Sequence, residues 1–437
     1  MRKILKGLIL IFFFSLPLGT KKFISILLPQ FFEYSREFSS LFLYGTDILA
    51  VVIIILSLIY FKKIHFGKAK IIQVLSVFSS LLILSLFFVS NFYYSLFIFI
   101  ELAIAILSAL AIHKVIADEI VDFRSICVAL GVSAFFEAVI AVIQFHFQKS
   151  LGLWFLGEPV VDVATQGVAR VTIAGISYLR SFGTLPHANI LASFLIVGFI
   201  SIAYLYFTAN KNIMVSRSIS IFGILTILYA LVLTFSRSGW IIAGISTLVL
   251  LIYGFSVREL RKTTTTFSLV ILASSILITY YLWWAIAPRS SFVKGEASVD
   301  HRVFYNEIGL SLVKKYPLGV GVGNQVITAA QNGLYLEKGL KQAWLAQPIH
   351  NIYILIMSEV GVFGLFTFLL LIFYSYKAVR IRHPKTVFAG IMFGSLLLFG
   401  LVDHFSWDLH AGRLMFFVML GTIMGLSMDN KSSSFNG

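Results

Sequence analysis

The chain has 437 residues, of which 59% are hydrophobic and 12% are charged, and its formal net charge is +15. Soluble domains carry about 25% charged residues, so this composition excludes a water-soluble globule and a disordered chain. The single cysteine, Cys127, excludes an intrachain disulfide scaffold. The lysines and arginines lie between apolar runs rather than on one basic stripe, which indicates membrane topology and argues against a nucleic-acid partner.

Apolar runs of membrane-spanning length recur along the whole chain. One crossing takes about 20 predominantly apolar residues. The runs lie at about 4–28, 45–61, 70–90, 93–112, 125–146, 188–208, 219–235, 238–254, 266–287, 351–375, 387–403 and 413–427. The sequence therefore predicts an all-α, polytopic integral membrane protein with about 12 transmembrane helices, which form a single membrane domain over residues 1–437.

The distribution of positive charge predicts the orientation. The first run follows Arg2, Lys3 and Lys6 as in a signal peptide, but residues 17–22 make a poor small-residue cleavage site, so we expect a retained helix. With the N-terminus inside, short inner segments hold 19 of the 34 lysines and arginines. Cytoplasmic loops collect these residues, so both termini are predicted to be cytoplasmic.

Two predicted outer segments, at about 147–187 and 288–350, are longer than hairpins. Long connections in a compact protein are usually functional or disordered, and neither segment has low complexity. The second contains a predicted amphipathic helix that ends before Pro317. Its apolar side is predicted to carry Val303, Phe304, Ile308, Leu310, Leu312 and Val313. We therefore expect the chemistry at the outer face, in a partly helical loop.

His350 ends the long loop and begins a helix. An imidazole at the water boundary titrates near neutral pH and can act as a general base; the alternative is a helix-start histidine at the level of the lipid headgroups. Glu359 lies about 13 Å deeper at 1.5 Å per residue. An acid at that depth suggests function, but it points away from His350, so packing against Gly361 and Gly364 is the preferred interpretation.

Three arginines are candidates for binding an anion. Arg237 lies in the tight link Ser-Arg-Ser-Gly-Trp between two spans, where its forked donors suit a phosphate. The alternative is an interfacial anchor beside Trp240. Arg302 begins the loop helix and has Asp300 as an ordinary ion-pair partner nearby, and Arg180 lies in a turn before the sixth span. Taken alone, Arg302 and Arg180 would be ordinary surface residues.

Two other patterns resemble a nucleotide-binding loop and a metal site, but neither matches the residues that such a site requires. Residues 319–324 are glycine-rich, but they follow Pro317 rather than a strand and lack the closing Lys-Ser/Thr of a nucleotide loop. We interpret them as a close-packed turn. The last loop holds Asp403, His404, Asp408 and His410. Their spacing matches no standard zinc pattern, so an interfacial loop is preferred and no metal site is predicted.

Five motifs follow one another along the chain. They are residues 44–47 (Tyr-Gly-Thr-Asp), residues 180–189, residues 236–240, Arg302 with residues 317–324, and residues 350–365. In this order the chain resembles the O-antigen ligase/polymerase superfamily of bacterial membrane glycosyltransferases. One departure is that Pro186 precedes His187, where the family segment has the histidine before the proline. The resemblance is dense from about 180 to 410 and looser before that.

The resemblance implies a metal-independent, GT-C-like membrane glycosyltransferase that needs no cofactor. The implied donor is a glycan on a polyprenyl-pyrophosphate carrier, and the implied acceptor is a glycan or a lipid. The protein is also expected to contact membrane lipids. Arg237 and Arg302 would hold the pyrophosphate, and His350 would activate or orient the acceptor hydroxyl. The candidate residues are His350, Arg237 and Arg302 as catalytic groups and Arg180, Asn324 and Asn351 as substrate-binding groups.

Three functions remain open at this stage. The preferred one is an O-antigen ligase-type transferase at the outer face of the inner membrane. A repeat-unit polymerase uses the same donor and adds its glycan to another lipid-linked glycan. A lipid-linked sugar transporter fits twelve spans and cytoplasmic termini, but no repeat between halves and no broken midplane helix is evident in the sequence.

Overall fold

The computed structural model describes residues 1–26, 40–61, 70–165, 168–209, 214–290, 297–340, 345–381 and 383–428. About three quarters of the chain, 75%, is helical. The helices are α1 Arg2–Ser15, α2 Gly45–Phe61, α3 Lys70–Ser85, α4 Phe92–Ala117, α5 Phe123–Phe147, α6 Ala188–Phe207, α7 Met214–Leu233, α8 Arg237–Ser256, α9 Arg261–Ser290, α10 Ala297–Lys315, α11 Gln325–Gln331, α12 Leu334–Glu337, α13 Ile352–Lys377, α14 Pro384–Phe399, α15 Phe405–Asp408 and α16 His410–Met428. The prediction of an all-α membrane protein is confirmed.

Eight helices in the described part of the chain are long and apolar enough to cross a membrane. They are Lys70–Phe88, Phe92–Ala117, Phe123–Phe147, Ala188–Phe207, Arg237–Ser256, Arg258–Arg289, Ile352–Lys377 and His410–Ser427. Three shorter apolar helices, at Gly45–Phe61, Arg217–Leu233 and Pro384–Phe399, coincide with predicted spans. The count of 12 stays a prediction, and so does the orientation of the termini.

The first predicted span, at about 4–28, is wrong in its extent. The helix α1 ends at Ser15, and residues 21–26 instead form strand β1, Lys21–Ile26. Strand β1 pairs with β2, Ser40–Tyr44, in an antiparallel hairpin. Pro17 and Gly19 lie directly after the helix, and both are residues that end helices. The apolar run at 4–28 joined the helix and the strand into one span, because hydropathy alone does not register Pro17 and Gly19 as residues that end a helix.

Two helices form the centre of the bundle. The apolar windows of α6 and α16 are each 94% buried, so neighbouring helices surround them. Helix α16 packs along α4, while α6 packs against α5, α7 and α14. Helix α9 has a window that is only 22% buried and therefore lies at the edge. A helix that is apolar on all sides and buried is an interior element, whereas α9 turns most of its surface outward.

Helix α13 is interrupted at Gly361, whose backbone is left-handed with φ 81° and ψ 179°. The glycine loop at residues 317–323 lies in this break. The amide of Val320 donates to the Ser358 carbonyl at 2.9 Å, and the Val362 amide donates to the Pro317 carbonyl at 3.1 Å. A Cβ on Gly319 would lie 2.3 Å from the Glu359 carbonyl oxygen. The glycine loop is thus a close-packed turn, as predicted, but the broken helix was not expected.

Glu359 precedes this break, and its side chain is buried. The indole nitrogen of Trp407 donates to its carboxylate at 2.8 Å. Removing a carboxylate from water costs less when a hydrogen bond compensates for it. Glu359 therefore ties α13 to α15, a more specific role than the packing that was predicted.

The two long connections are partly ordered by their own elements. The first carries an antiparallel hairpin, β3 Arg170–Ile173 with β4 Ile176–Leu179. The second contains α10, α11 and α12, so the predicted loop helix is present. Its predicted apolar side is wrong in part, because Val303 and Leu310 are about half exposed at 48% and 51%. The buried side consists of Tyr305, Ile308 and Leu312.

Candidate functional site

A cavity of about 390 Å³ lies where the two long connections meet the ends of the helices. The first connection contributes Arg180 and His187, and the second contributes Arg302 and His350. Other lining residues include Asn189, Ser236, Arg237, Ser238, Arg289, His301, Tyr305, Gln347, Asp403 and His404. We call this space the arginine cavity. It brings together four of the six predicted site residues, which are far apart in the sequence.

Arg180 is held by a chain of buried hydrogen bonds. Its Nε donates to the Thr234 carbonyl at 2.7 Å, and its terminal nitrogen donates to the Asn189 side chain at 2.8 Å. Asn189 in turn donates to Asp403 at 2.8 Å. The Asp403 carboxylate also accepts the His404 amide at 2.9 Å. This network fixes the guanidinium, so little side-chain entropy is lost when an anion binds.

Arg237 is the first residue of α8. Ser236 caps that helix by accepting the Gly239 amide at 3.2 Å, and Phe235 before it has a left-handed backbone with φ 49°. The turn places Phe235, Ser236, Arg237 and Ser238 along the cavity. Helix N-termini attract anions because their first amides are unpaired and the helix dipole is positive there. The guanidinium and the helix terminus therefore act in the same direction.

Arg289 and Arg302 complete the set of arginines. Arg302 lies near the start of α10, as predicted, and lines the cavity. Arg289 lies in the last turn of α9, after Pro288, and its Nε approaches the Phe235 carbonyl at 3.4 Å. No sequence pattern singles out Arg289, because a cation at the end of a span is ordinary. Only the packing of α9 beside α8 brings it to the site.

Four arginines and one aspartate therefore face one small space. Burial and the neighbouring Arg289 and Arg302 lower the pKa of Arg180 to about 9, so it remains a cation at neutral pH. Burial alone would raise the pKa of Asp403, but the neighbouring His404, His350, His187 and Arg302 outweigh it and the net shift is downward. The excess of positive charge in a partly desolvated site favours a multiply charged anion.

His350 is half-buried at the edge of this cavity. Its Nδ1 lies 2.9 Å from the Pro348 carbonyl, which can only accept, so Nδ1 carries the proton and Nε2 the lone pair. The Tyr305 ring stacks on it with centroids 5.1 Å apart. Burial and the neighbouring His404 lower the pKa of His350 to about 3. The imidazole is therefore neutral at physiological pH, as a general base must be.

Three further histidines, His404, His187 and His301, line the cavity although the sequence analysis did not select them for the site. His404 is 7% exposed, lines the cavity and donates from Nδ1 to Asp408 at 2.8 Å. His187 caps α6 by accepting the Asn189 amide at 3.1 Å, and burial together with Arg180 lowers its pKa to about 4. The adjacent Pro186-His187 pair was a signal for the second residue. For His404 the i, i+4 spacing to Asp408 was the available signal.

Asn324 and Asn351 do not line the arginine cavity. Asn324 is fully buried, and its carbonyl oxygen accepts from Ser90 at 2.9 Å and from the Asn91 amide at 3.1 Å. Asn351 caps α13 by accepting the Tyr353 amide at 3.0 Å and the Ile354 amide at 3.2 Å. Both side chains are thus committed to the fold, and the position of each argues against its predicted role in binding substrate.

One group among the described residues has metal-ligand chemistry. Single ligand atoms of Asp47, Glu101 and His410 lie within 4.8 Å of one another, and all three residues are buried. However, Arg413 donates to Glu101 at 2.8 Å, and Thr46 lies 2.6 Å from the other nitrogen of His410. A guanidinium in contact opposes a divalent cation. The four residues of the last loop that the sequence grouped together, Asp403, His404, Asp408 and His410, do not form one cluster. His404 is bonded to Asp408, and His410 is bonded to Glu101.

Comparison with known proteins agrees with this site. Residues 222–369 match the sequence model of a family described as O-Antigen ligase. The match contains Arg237, Arg289, Arg302 and His350, whereas Arg180 lies before it. None of the curated proteins matches the chain. The arginine cavity and the matched segment thus coincide over most of the site, which supports the resemblance of the chain to the O-antigen ligase superfamily.

Proposed function

We propose that the chain is an O-antigen ligase-type glycosyltransferase. It moves a glycan from a polyprenyl-pyrophosphate carrier to a cell-surface acceptor such as lipid A core, at the outer face of the inner membrane. The observation that carries this proposal is the group of four arginines, Arg180, Arg237, Arg289 and Arg302, around one cavity of about 390 Å³. A pyrophosphate has the charge and the oxygen geometry that guanidinium forks bind.

The arginines supply the stabilisation that the leaving group requires. In the transfer, the bond between the anomeric carbon and the pyrophosphate oxygen breaks, and a bond from that carbon to the acceptor oxygen forms. Negative charge grows on the departing polyprenyl pyrophosphate. Fixed guanidinium groups at Arg180, Arg237 and Arg302 stabilise this charge without reorganising, which is where catalytic electrostatics is most effective.

His350 is the proposed base for the acceptor hydroxyl. Its Nε2 accepts the proton that the attacking oxygen loses, while Nδ1 stays bonded to the Pro348 carbonyl at 2.9 Å. General-base catalysis of this kind contributes about 10²–10⁴-fold. The alternative role is binding a phosphate, which would need the protonated ring. The downward shift of the His350 pKa keeps the ring neutral and so argues against the phosphate-binding role.

The polyprenyl tail of the donor requires an apolar path out of the cavity. Phe235 lines the arginine cavity and also packs in a cluster with Phe145, Ile278 and Leu282. These three residues line a groove of about 690 Å³ together with several tyrosines and Trp284. Phe235 therefore lies between the arginine cavity and the groove. Aromatic and apolar lining suits a lipid chain at the membrane boundary.

Two other functions remain as alternatives. A repeat-unit polymerase shares the donor and differs only in its acceptor, which would be another lipid-linked glycan. A lipid-linked sugar transporter gains one argument from the interruption of α13 at Gly361, because transporters use broken helices. The loop at residues 317–323 fills that break with hydrogen bonds. The backbone groups there are therefore already used, and the transferase is preferred.

Transfer in vitro tests the proposal. The purified protein would receive a labelled polyprenyl-pyrophosphate glycan and either lipid A core or a second lipid-linked glycan, with EDTA present. We expect transfer that persists in EDTA, goes to lipid A core and falls by at least 10²-fold in His350→Ala. Label in lipid-linked glycan alone would establish the polymerase. Movement of the lipid across vesicles without transfer, preserved in His350→Ala, would establish the transporter instead.

A further inference from the structure

A second cavity, of about 220 Å³, lies beside the arginine cavity. Pro186, Ile190 and Leu409 line both spaces and form the wall between them. The far side of the second cavity consists of the β1–β2 hairpin and the short turn Trp154–Leu156. The first long connection and the chain before α2 therefore enclose it. Its position next to the proposed donor site raises the question of what it holds.

The lining of the second cavity differs in character from that of the arginine cavity. Aromatic side chains form a large part of it, namely Phe42, Tyr44, Phe97 and Trp154. Two cations and three carboxylates line it, compared with four arginines and one aspartate in the first cavity. A second pyrophosphate would therefore find little net attraction here. Aromatic faces with a few polar acceptors suit an uncharged, hydroxyl-bearing ligand.

Most of the polar groups in this lining are already committed. Glu158 accepts from Gln144 and from the Leu151 amide, both at 2.7 Å, and from the Leu153 amide at 2.6 Å. Glu101 is bonded to Arg413 at 2.8 Å. These carboxylates shape the walls. A ligand must therefore be recognised by another group.

Asp408 is the charged group of the lining that can do so. Its Oδ1 accepts from His404 at 2.8 Å, whereas its Oδ2 is buried and has no hydrogen-bond partner within the described residues. A buried carboxylate oxygen without a donor is costly, and a sugar hydroxyl is the kind of donor that would remove the cost. Asp408 lines the second cavity, and its partner His404 lines the first. One hydrogen bond thus connects the two spaces.

We propose that the second cavity binds the acceptor as an uncharged sugar, with a ring on Trp154 or Tyr44 and a hydroxyl donating to the Asp408 carboxylate. This assignment rests on the proposed transferase function, and it adds the place and the chemical class of the acceptor. The acceptor would then approach the donor past the wall of Pro186, Ile190 and Leu409. On the donor side of that wall, the His404 ring lies 4.6 Å from that of His350. Donor and acceptor would then have separate sites, a strongly cationic one for the pyrophosphate and an aromatic one of little net charge for the sugar.

Steady-state kinetics with both substrates varied tests the assignment. Trp154→Ala removes an aromatic face that is 70% exposed, so the fold should tolerate the change, and Asp408→Asn removes charge at constant shape. We expect the acceptor KM to rise about tenfold or more in each, with the donor KM unchanged. Trp283→Ala, at a tryptophan that is 59% exposed and outside both cavities, is the matched control and should resemble wild type. Donor KM rising together with acceptor KM would overturn the assignment.

Cysteine protection gives a readout that does not need activity. Cys127 is buried, so an introduced cysteine would be the reactive thiol. Pro159→Cys places one in the second cavity, and Ser238→Cys places one in the arginine cavity. We expect an uncharged hexose oligosaccharide to slow maleimide labelling only at position 159, and inorganic pyrophosphate to slow it only at position 238.

The two failures are distinguishable. If wild type transfers no glycan to any acceptor, the proposed function fails. If wild type transfers glycan but both cavity variants keep the wild-type acceptor KM, or oligosaccharide leaves labelling at position 159 unchanged, the acceptor assignment fails alone. Protection at position 159 by pyrophosphate as well as by oligosaccharide would also overturn it, because the proposal requires the two cavities to differ in chemistry.

Discussion

The rings of His350 and His404 lie edge to face, with centroids 4.6 Å apart, although 54 positions separate them in the chain. Their Nδ1 atoms have different partners, a backbone carbonyl at Pro348 for the first and the Asp408 carboxylate for the second. Both rings line the arginine cavity. The imidazole chemistry of the site is thus shared between the start of α13 and the loop before α16, and each ring has its own orienting group.

The pH dependence of transfer should show no limb near neutrality from His350 or His187. The pKa of His350 is lowered to about 3 and that of His187 to about 4, so both are neutral above about pH 5. Protonation would remove the base, and it occurs only as pH falls towards those values. We therefore expect kcat/KM, which reports the free enzyme, to stay level from about pH 5 to pH 8. A fall in kcat/KM centred near pH 6.5 would show that this interpretation of His350 is wrong.

Asn189 should affect the donor rather than the acceptor. Asn189→Ala removes the hydrogen bonds of 2.8 Å that join Arg180 to Asp403. Loss of an orienting bond to a charged group costs about 1.5–3 kcal/mol, so the donor KM should rise about tenfold or more. The acceptor KM should stay within twofold of wild type. An unchanged donor KM would mean that the network does not position Arg180.

Arg237→Lys tests whether the fork matters beyond its charge. Lysine keeps the positive charge but loses the paired donors that match phosphate oxygens. We expect kcat/KM to fall about 10–100-fold, which corresponds to about 1.4–2.7 kcal/mol. Arg170→Lys is the control. Arg170 is an exposed residue of strand β3, and within the described residues its side chain bonds only to the Val163 carbonyl. Equal activity of the two variants would contradict the pyrophosphate assignment.

Gly319→Ala should destabilise the protein more than Gly333→Ala. Both glycines have a left-handed backbone, with φ of 90° and 72°. A Cβ at Gly319 would meet the Glu359 carbonyl at 2.3 Å, whereas a Cβ at Gly333 would have nothing within 4 Å. Strain alone costs about 1 kcal/mol, so Gly333→Ala should lose about that much and Gly319→Ala at least twice it. Thermal unfolding in detergent measures the difference, and equal midpoints would contradict the docking of the loop into α13.

The sequence predicted the features that depend on local pattern. Hydropathy located the eight long apolar helices of the described residues. Motif order selected Arg180, Arg237, Arg302 and His350, which the fold brings to one cavity. The sequence alone could not predict that Arg289 and His404 line the cavity, because their positions there depend on how distant helices pack. Asn324 and Asn351 lie in the right motifs but serve the fold, and a motif does not distinguish the two roles. The break at Gly361 arises from the docked loop at residues 317–323, a tertiary contact.

Binding of the carrier lipid measures the central claim most directly. Polyprenyl pyrophosphate and polyprenyl monophosphate of equal chain length would be titrated onto wild type, Arg237→Gln and the control Arg170→Gln. We predict that wild type and the control bind the pyrophosphate at least tenfold more tightly than the monophosphate, since the second phosphate adds charge-assisted bonds, and that Arg237→Gln loses this preference. Equal affinity of wild type for the two lipids would contradict the assignment of the arginine cavity to a pyrophosphate-linked donor.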